Sequence, residues 1–382
     1  MRTVKLPALL LTLVMAVALV LGACSSSGDS EPEQPAAVEA PAEAAAPVEA
    51  AVSETEKRAI RFADTQFQTL WVNNAIAGFV VEHGYGYPVE TIEVSTPVYQ
   101  QSLASGELDV MMELWRMNII DWYNEVTESG QVIDLGETFE RSTQGFYVPR
   151  YVIEGDPERG IEPMAPELRS VFDLPEYIGL FQDPEDPSKG RLINCITGWQ
   201  CAKINRIKLH AYGLVEYYNS MEPGAAAALD AAIAGAYVKG EPILAYYWEP
   251  TWLLGTYDMV QLEEPEWTPE CEAETQRALT GEIEEDEVSE AAGCAYQTLG
   301  IHKGVHGGLA EEAPELVEFF EAMFIGTDAL NRTAAYMSAE EASADEAALW
   351  YFANYQEDWR GWLPDDVEAK VEAALIEAGA EL

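Results

Sequence analysis

The sequence predicts an α/β protein built as two lobes, and three observations carry that prediction. From Ile60 to Trp115, strand-like and helix-like patterns alternate, the order that gives parallel βαβ units with ligand groups gathered at the carboxyl ends of the strands. The roughly 325 residues beyond the N-terminal low-complexity segment exceed what one small core holds. The stretch Gly145 to Ile153, GFYVPRYVI, is β-rich and long enough to cross from one lobe into another.

The elements follow in order. Ile60 to Asp64 reads as a first strand. Phe67, Leu70, Trp71, Asn74, Ile76, Phe79 and Val80 then fall mostly on one helical face, with Gly84 as the stop. Val89 to Val94 reads as a strand, Tyr99 to Leu103 as a short helix ended by Gly106, Asp109 to Trp115 as a strand and Ile119 to Val126 as a helix. These make residues 58–148 the first part of lobe 1. Residues 149–252 are expected to form lobe 2. They include Val171 to Leu174, a loop rich in Pro, Asp and Gly from Asp183 to Gly190, a helix carrying Ile204, Ile207, Ala211, Leu214 and Tyr218, and a buried strand from Gly240 to Tyr247. Residues 253–382 return to lobe 1 and end in helices, Glu315 to Phe324 and Asp365 to Ala378 among them. Within that return, residues 263–294 read as an acidic surface excursion held by its own cysteines.

The N-terminus addresses the chain for export. Arg2 and Lys5 precede a run of roughly 16 apolar residues, marginal for a spanning helix. Leu21-Gly22-Ala23-Cys24 follows and resembles the lipobox of exported lipoproteins, which makes 1–23 a signal peptide and Cys24 the acylated anchor to the cell membrane. Residues 24–57 are Ala, Pro, Glu and Ser in low-complexity order without an aromatic residue, an acidic tether that stays extended. No later segment is apolar enough to span a bilayer.

With 67 Asp+Glu against 21 Lys+Arg, the net charge of −46 excludes nucleic acid as a natural partner. Four cysteines remain beyond Cys24: Cys195, Cys201, Cys271 and Cys294. In an exported chain an even number reads as disulfides, and proximity in sequence favours Cys195 with Cys201 and Cys271 with Cys294. A zinc site lacks a histidine pair beside these cysteines.

Three tryptophans stand where the chain turns. Trp115 and Trp248 end predicted strands, while Trp199 sits in a cysteine-bracketed loop, CITGWQC, just before a helix. A tryptophan box suits a permanent cation with no N–H to donate, since ring faces attract its charge and pack against its methyl groups. The helix opening near Gln200 offers free N–H groups to an anion, and Gly198 permits close backbone approach. A cation cage beside anion donors describes a zwitterion.

These residues resemble the substrate-binding lipoproteins of glycine betaine/proline betaine ABC importers. The resemblance runs from about Arg61 onward and is carried by FQTL at Phe67–Leu70, SLASGELDV at Ser102–Val110, CITGWQC at Cys195–Cys201 and YYWEPTW at Tyr246–Trp252. It implies a periplasmic-binding-protein (type II) fold, each lobe a mixed sheet flanked by helices, with the ligand cleft between them. It further implies that Trp115, Trp199 and Trp248 box a quaternary ammonium, that the Gln200 and Cys201 amides hold its carboxylate, and that an ABC permease with its ATPase receives the ligand. No cofactor is implied. Glu249 departs from the family pattern by placing a carboxylate next to a cage tryptophan, which raises choline or another simple cation as the alternative ligand.

Enzyme readings find less support. His302 and His306 have metal-like spacing, but Gly304, Gly307 and Gly308 suggest a loop and not the helix such a pair normally needs. No GxSxG elbow or phosphate loop is present, which leaves an extracytoplasmic hydrolase as the remote alternative.

Overall fold

The computed structural model describes residues 57–380 and 382. The signal peptide, Cys24 and nearly all of the tether therefore lie outside the described residues. The first segment runs β1 (Ile60–Asp64), α1 (Gln68–Phe79), β2 (Val89–Glu93), α2 (Thr96–Ser105), β3 (Val110–Leu114), α3 (Ile120–Glu128) and β4 (Val132–Phe139). α1 buries Leu70, Val72, Ile76 and Ala77, and its last turn widens into a π-turn over Val80–Gly84. α2 stops at Gly106, whose φ of 80° is a left-handed cap that glycine adopts without strain.

The chain then builds β5 (Thr143–Pro149), α4 (Arg150–Glu154), β6 (Gly190–Ile193), α5 (Gln200–Ala211), β7 (Tyr218–Met221), α6 (Ala226–Lys239), β8 (Ala245–Glu249), α7 (Trp252–Thr256), β9 (Met259–Gln261) and α8 (Pro269–Leu279). It closes with β10 (Ile301–His306), α9 (Leu309–Glu312), α10 (Pro314–Ala322), α11 (Thr327–Ala339), α12 (Ala344–Asn354), α13 (Gln356–Arg360) and α14 (Asp365–Glu377).

Two five-stranded sheets result, ordered β2-β1-β3-β10-β4 and β7-β6-β8-β5-β9. Each is mixed. β1 pairs in parallel with β2 and β3, whereas β10 runs antiparallel between β3 and β4. In the second sheet β6 is parallel to β7 and β8, and β5 is antiparallel to β8 and β9. The two mixed sheets flanked by helices are the predicted architecture.

The chain changes sheet earlier than the 148/149 boundary placed it. β5 belongs wholly to the second sheet, so the first crossing lies between Phe139 and Thr143. The return is later than 253, because β9 still pairs with β5 and only β10 rejoins the first sheet. The two crossings lie side by side: the Ser142 N–H and hydroxyl both donate to the Leu299 carbonyl, at 3.0 and 2.7 Å. Two adjacent strands of chain linking two sheets make a hinge.

Three local readings are corrected. Tyr151, Val152 and Ile153 favour strands by type but close a helical turn, because all three are buried there and packing overrides propensity. Tyr218 does not continue its helix: Gly213, at φ 67°, turns the chain, and Tyr218 opens β7. The His302–His306 stretch is a strand and not a loop. Gly304 serves close sheet packing, since a Cβ there would meet Leu114 Cδ1 at 2.7 Å and the Ile133 carbonyl at 3.2 Å. His302 Nδ1 bonds Asp134 and His306 Nδ1 bonds the Leu103 carbonyl.

The acidic excursion is docked on lobe 2. Ala278 and Ala292 pack with Ile207 and Ala211 of α5. The Cys271–Cys294 disulfide ties it internally. A fully buried Lys208–Glu264 ion pair at 2.7 Å and an Arg206–Glu285 pair at 2.9 Å fasten it to α5.

Candidate functional site

The cavity between the sheets is assembled from strand ends and helix starts. Phe67 is the residue before α1 and follows the end of β1; Trp115 follows β3; Trp199 caps α5; Trp248 lies in β8. All four line one cavity of about 50 Å³, measured as space open to the centre of a water-sized sphere. That exceeds the room one water needs several-fold and suits a small solute.

Phe67 and the tryptophans it touches meet edge-to-face, while Tyr246, also on the cavity wall, stacks on Trp248 at 6.1 Å and 26°. Phe67 meets Trp115, Trp199 and Trp248 with ring centroids at 6.5, 5.3 and 6.3 Å, and Trp199 meets Trp248 at 5.3 Å and 74°. Mutually perpendicular rings present faces from several directions, the arrangement that surrounds a cation with negative quadrupole density.

The loop carrying Trp199 is held by covalent and polar ties. Cys195 and Cys201 are disulfide-bonded. The buried Asn194 side chain accepts from the Cys195 N–H at 2.6 Å and from Asn205 at 2.7 Å, and donates to the Ala202 carbonyl at 3.1 Å. Gly198 sits at φ 92°, and a methyl group on its Cα would meet only Ser95 Cβ, at 3.5 Å, so backbone conformation and not space demands glycine there. α5 starts at Gln200 without a side-chain cap. The Gln200 and Cys201 amides therefore stand free at the positive end of a twelve-residue helix, and both residues line the cavity.

The lobes are closed on this space. Trp199 Nε1 donates to the Thr65 carbonyl at 2.8 Å, and the Thr96 N–H donates to the Gly198 carbonyl at 3.1 Å. Asn118 and Gln144 exchange amide hydrogen bonds across the lobes at 3.2 Å each, and the Tyr246 hydroxyl donates to Gln144 at 2.7 Å.

Sequence reasoning missed Phe67, Glu113, Asn118, Gln144 and Tyr246 as lining residues. Phe67 obeys the same strand-end rule that selected Trp115. Glu113 is fully buried on β3, where Asn73 Nδ2 donates to its Oε1 at 2.7 Å and Trp115 Nε1 to its Oε2 at 3.0 Å. Burial outweighs these hydrogen bonds and pushes its carboxyl up to about 7. Its signal was a lone charge inside the apolar run VMMEL.

Glu249 is not a cage residue. Alternation along β8 turns it to the opposite face from Trp248, where its half-exposed carboxylate meets Thr143 at 3.3 Å and Arg141 at 3.9 Å. Among the described residues no cluster of three His, Cys, Asp or Glu side chains is placed to hold a metal.

Comparison with known proteins agrees with this geometry. The chain is 20% identical over 274 residues to the trimethylamine N-oxide-binding protein of Pelagibacter ubique, covering 72% of this chain and 81% of that one. It is 22% identical over 319 residues to the glycine betaine/proline betaine-binding periplasmic protein of Salmonella typhimurium, covering 81% and 88%. The structure of the glycine betaine, L-proline ABC transporter binding protein ProX from Borrelia burgdorferi superposes with a TM-score of 0.62 at 19% identity, covering 82% of this chain and 99% of that one. Residues 58–354 match OpuAC, the substrate binding domain of ABC-type glycine betaine transport systems, and the chain belongs to that family.

Proposed function

We propose that this protein captures glycine betaine or a closely related methylated amine outside the cytoplasm and hands it to an ABC permease. The observation that carries the reading is the convergence of Trp115, Trp199, Trp248 and Phe67, from four separate segments, on one cavity between the sheets. The Pelagibacter and Salmonella relatives point the same way, since trimethylamine N-oxide and glycine betaine share a trimethylated nitrogen. In this reading the rings hold that nitrogen, and the Gln200 and Cys201 amides hold the anionic end. Gly198 and the Cys195–Cys201 bridge preorganise the loop, lowering the ordering cost of binding. The protein acts as a binder and not as an enzyme, its cavity built for retention by ring faces.

Calorimetric titration with glycine betaine, trimethylamine N-oxide, choline and a neutral amino acid tests the proposal. Glycine betaine is expected to bind and the neutral amino acid not to; choline, lacking the carboxylate, is expected to bind more weakly. Binding of none of the methylated amines would sink the reading. Anchoring through Cys24 is the accompanying proposal: Cys24→Ala is expected to release the protein from membranes or leave its signal uncleaved, and unchanged fractionation would refute it.

A further inference from the structure

We propose that Glu113 is the counter-ion of the bound ammonium, and that the cavity therefore selects cationic nitrogen by charge as well as by ring faces. This rests on the reading of the cavity as a methylated-amine site. A carboxyl lining a cation cage, fully buried and without a cation of its own, is the observation that carries it.

Every charged group on the elements around it is otherwise engaged. α1, which covers it, carries no charged residue from Gln68 to Phe79 and offers Asn73. On β1, Arg61 is held by Asp109 at 2.9 Å, and Asp64 accepts from Trp71 Nε1 at 2.9 Å and the Gln66 N–H at 2.6 Å. Just past β3, Arg116 donates to the Gly300 carbonyl at 3.2 Å and lies over the Tyr123 ring. On β10, His302 pairs with Asp134 at 2.7 Å, His306 bonds the Leu103 carbonyl, and Lys303 donates to the Glu137 carbonyl at 3.0 Å. Lobe 2 faces the cavity with Trp199, Trp248 and Gln144, none of them charged. An ionised carboxylate with only neutral donors is costly inside a protein, and a cation arriving beside it removes that cost.

The surroundings accept either protonation state. Asn73 Nδ2 serves the carboxylate, while Asn73 Oδ1 is buried without a partner. A rotation of that amide turns the donor into an acceptor for a carboxyl proton. The empty site thus holds Glu113 neutral over much of the range around and below pH 7, and an arriving ammonium drives its ionisation. The proton leaves to solvent as the cation enters, so the exchange balances in charge. Affinity is then expected to rise with pH up to about 7 and to fall about tenfold per pH unit below it, because the ligand must displace a proton.

The test is calorimetry of glycine betaine and choline from pH 5 to 8 in buffers of differing ionisation enthalpy, on wild type and Glu113→Gln. Wild type is expected to release close to one proton per ligand near pH 6 and about a tenth near pH 8. Glu113→Gln should bind about a hundredfold more weakly at pH 8, release no proton, and come within about twofold of wild type at pH 5, where both present a neutral group. Wild-type binding without proton release, or a variant that matches wild type at pH 8, overturns the counter-ion role while leaving the functional reading intact. Proton release is read on wild type alone, so the proposal stays testable if the variant fails to fold. Wild type that binds neither amine at any pH overturns the functional reading and this inference with it.

Discussion

Trp199 makes two separable contributions, and a three-variant series at this position measures both. Its ring faces the cavity beside Phe67 and Trp248, each 5.3 Å away, and its Nε1 closes the cleft by donating to the Thr65 carbonyl at 2.8 Å. A desolvated cation–π contact contributes about 2 kcal/mol, and an intramolecular hydrogen bond about 1 kcal/mol net. Trp199→Ala loses both, about 3 kcal/mol or roughly a hundredfold in Kd for glycine betaine. Trp199→Phe keeps a ring face and loses the Thr65 bond, which predicts a weakening of about fivefold. Trp199→Leu keeps apolar bulk without a π face and should lie near Ala. Isothermal titration calorimetry reads all three. The isostere tert-butylacetate, in which an uncharged carbon replaces the quaternary nitrogen and the carboxylate is kept, supplies the control and should bind weakly to wild type. If Leu matches Phe, or the isostere binds as tightly as glycine betaine, the cavity is merely apolar and the cation–π account is wrong.

Further outcomes follow from other contacts. Breaking Cys195–Cys201 by paired Ser substitution should cost about 2 kcal/mol of stability, and Cys271–Cys294 about 3 kcal/mol, by loop closure; titration of the same variants should show weaker ligand binding only for the first pair, which flanks the cavity. Lys208→Met strands the Glu264 carboxylate inside the protein, an expected loss of about 3–5 kcal/mol in chemical denaturation, whereas replacing both partners with apolar residues should recover much of it. Glu113, held up at about 7 when folded against a usual value of 4.5, favours the folded state below pH 4.5 and loses that contribution as pH rises through 7. Ligand-free Glu113→Gln should therefore gain on wild type between pH 5 and pH 8 by up to about 3 kcal/mol in denaturant midpoints, and a constant difference would refute the shift.

Local pattern located strands and helices wherever burial was one-sided. α1 announced itself by periodicity and Gly106 marks a real stop, whereas helical spacing carried past Gly213, where the chain in fact turns. The sheet boundaries were not legible because β5 looks alike whether it bridges lobes or joins the second; only its pairing with β8 and β9 decides. β10 was hidden for a related reason. Its glycines read as loop residues, yet Gly304 is required by Leu114 and Ile133 pressing from both neighbouring strands, a contact between residues far apart in sequence.

The site divides along the same line. Residues whose role depends on their place in one element were visible: Trp115 at a strand end, Trp199 before a helix, Gly198 at a turn. Glu249 was misplaced because strand alternation was not carried through β8: with Trp248 facing the cavity, its neighbour must face away, toward Arg141. Glu113 shows the converse. A single glutamate in an otherwise apolar strand cannot be solvated there, and the chain carries 67 acidic residues with abundant surface to place them on. Keeping one acid at zero exposure, on the wall of an aromatic cavity, sets its desolvation cost against what enters the cavity and not against any fixed partner. The same low-dielectric enclosure that makes the empty carboxylate unfavourable strengthens its attraction for an ammonium, so the penalty in the free protein and the selectivity in the complex have one physical origin.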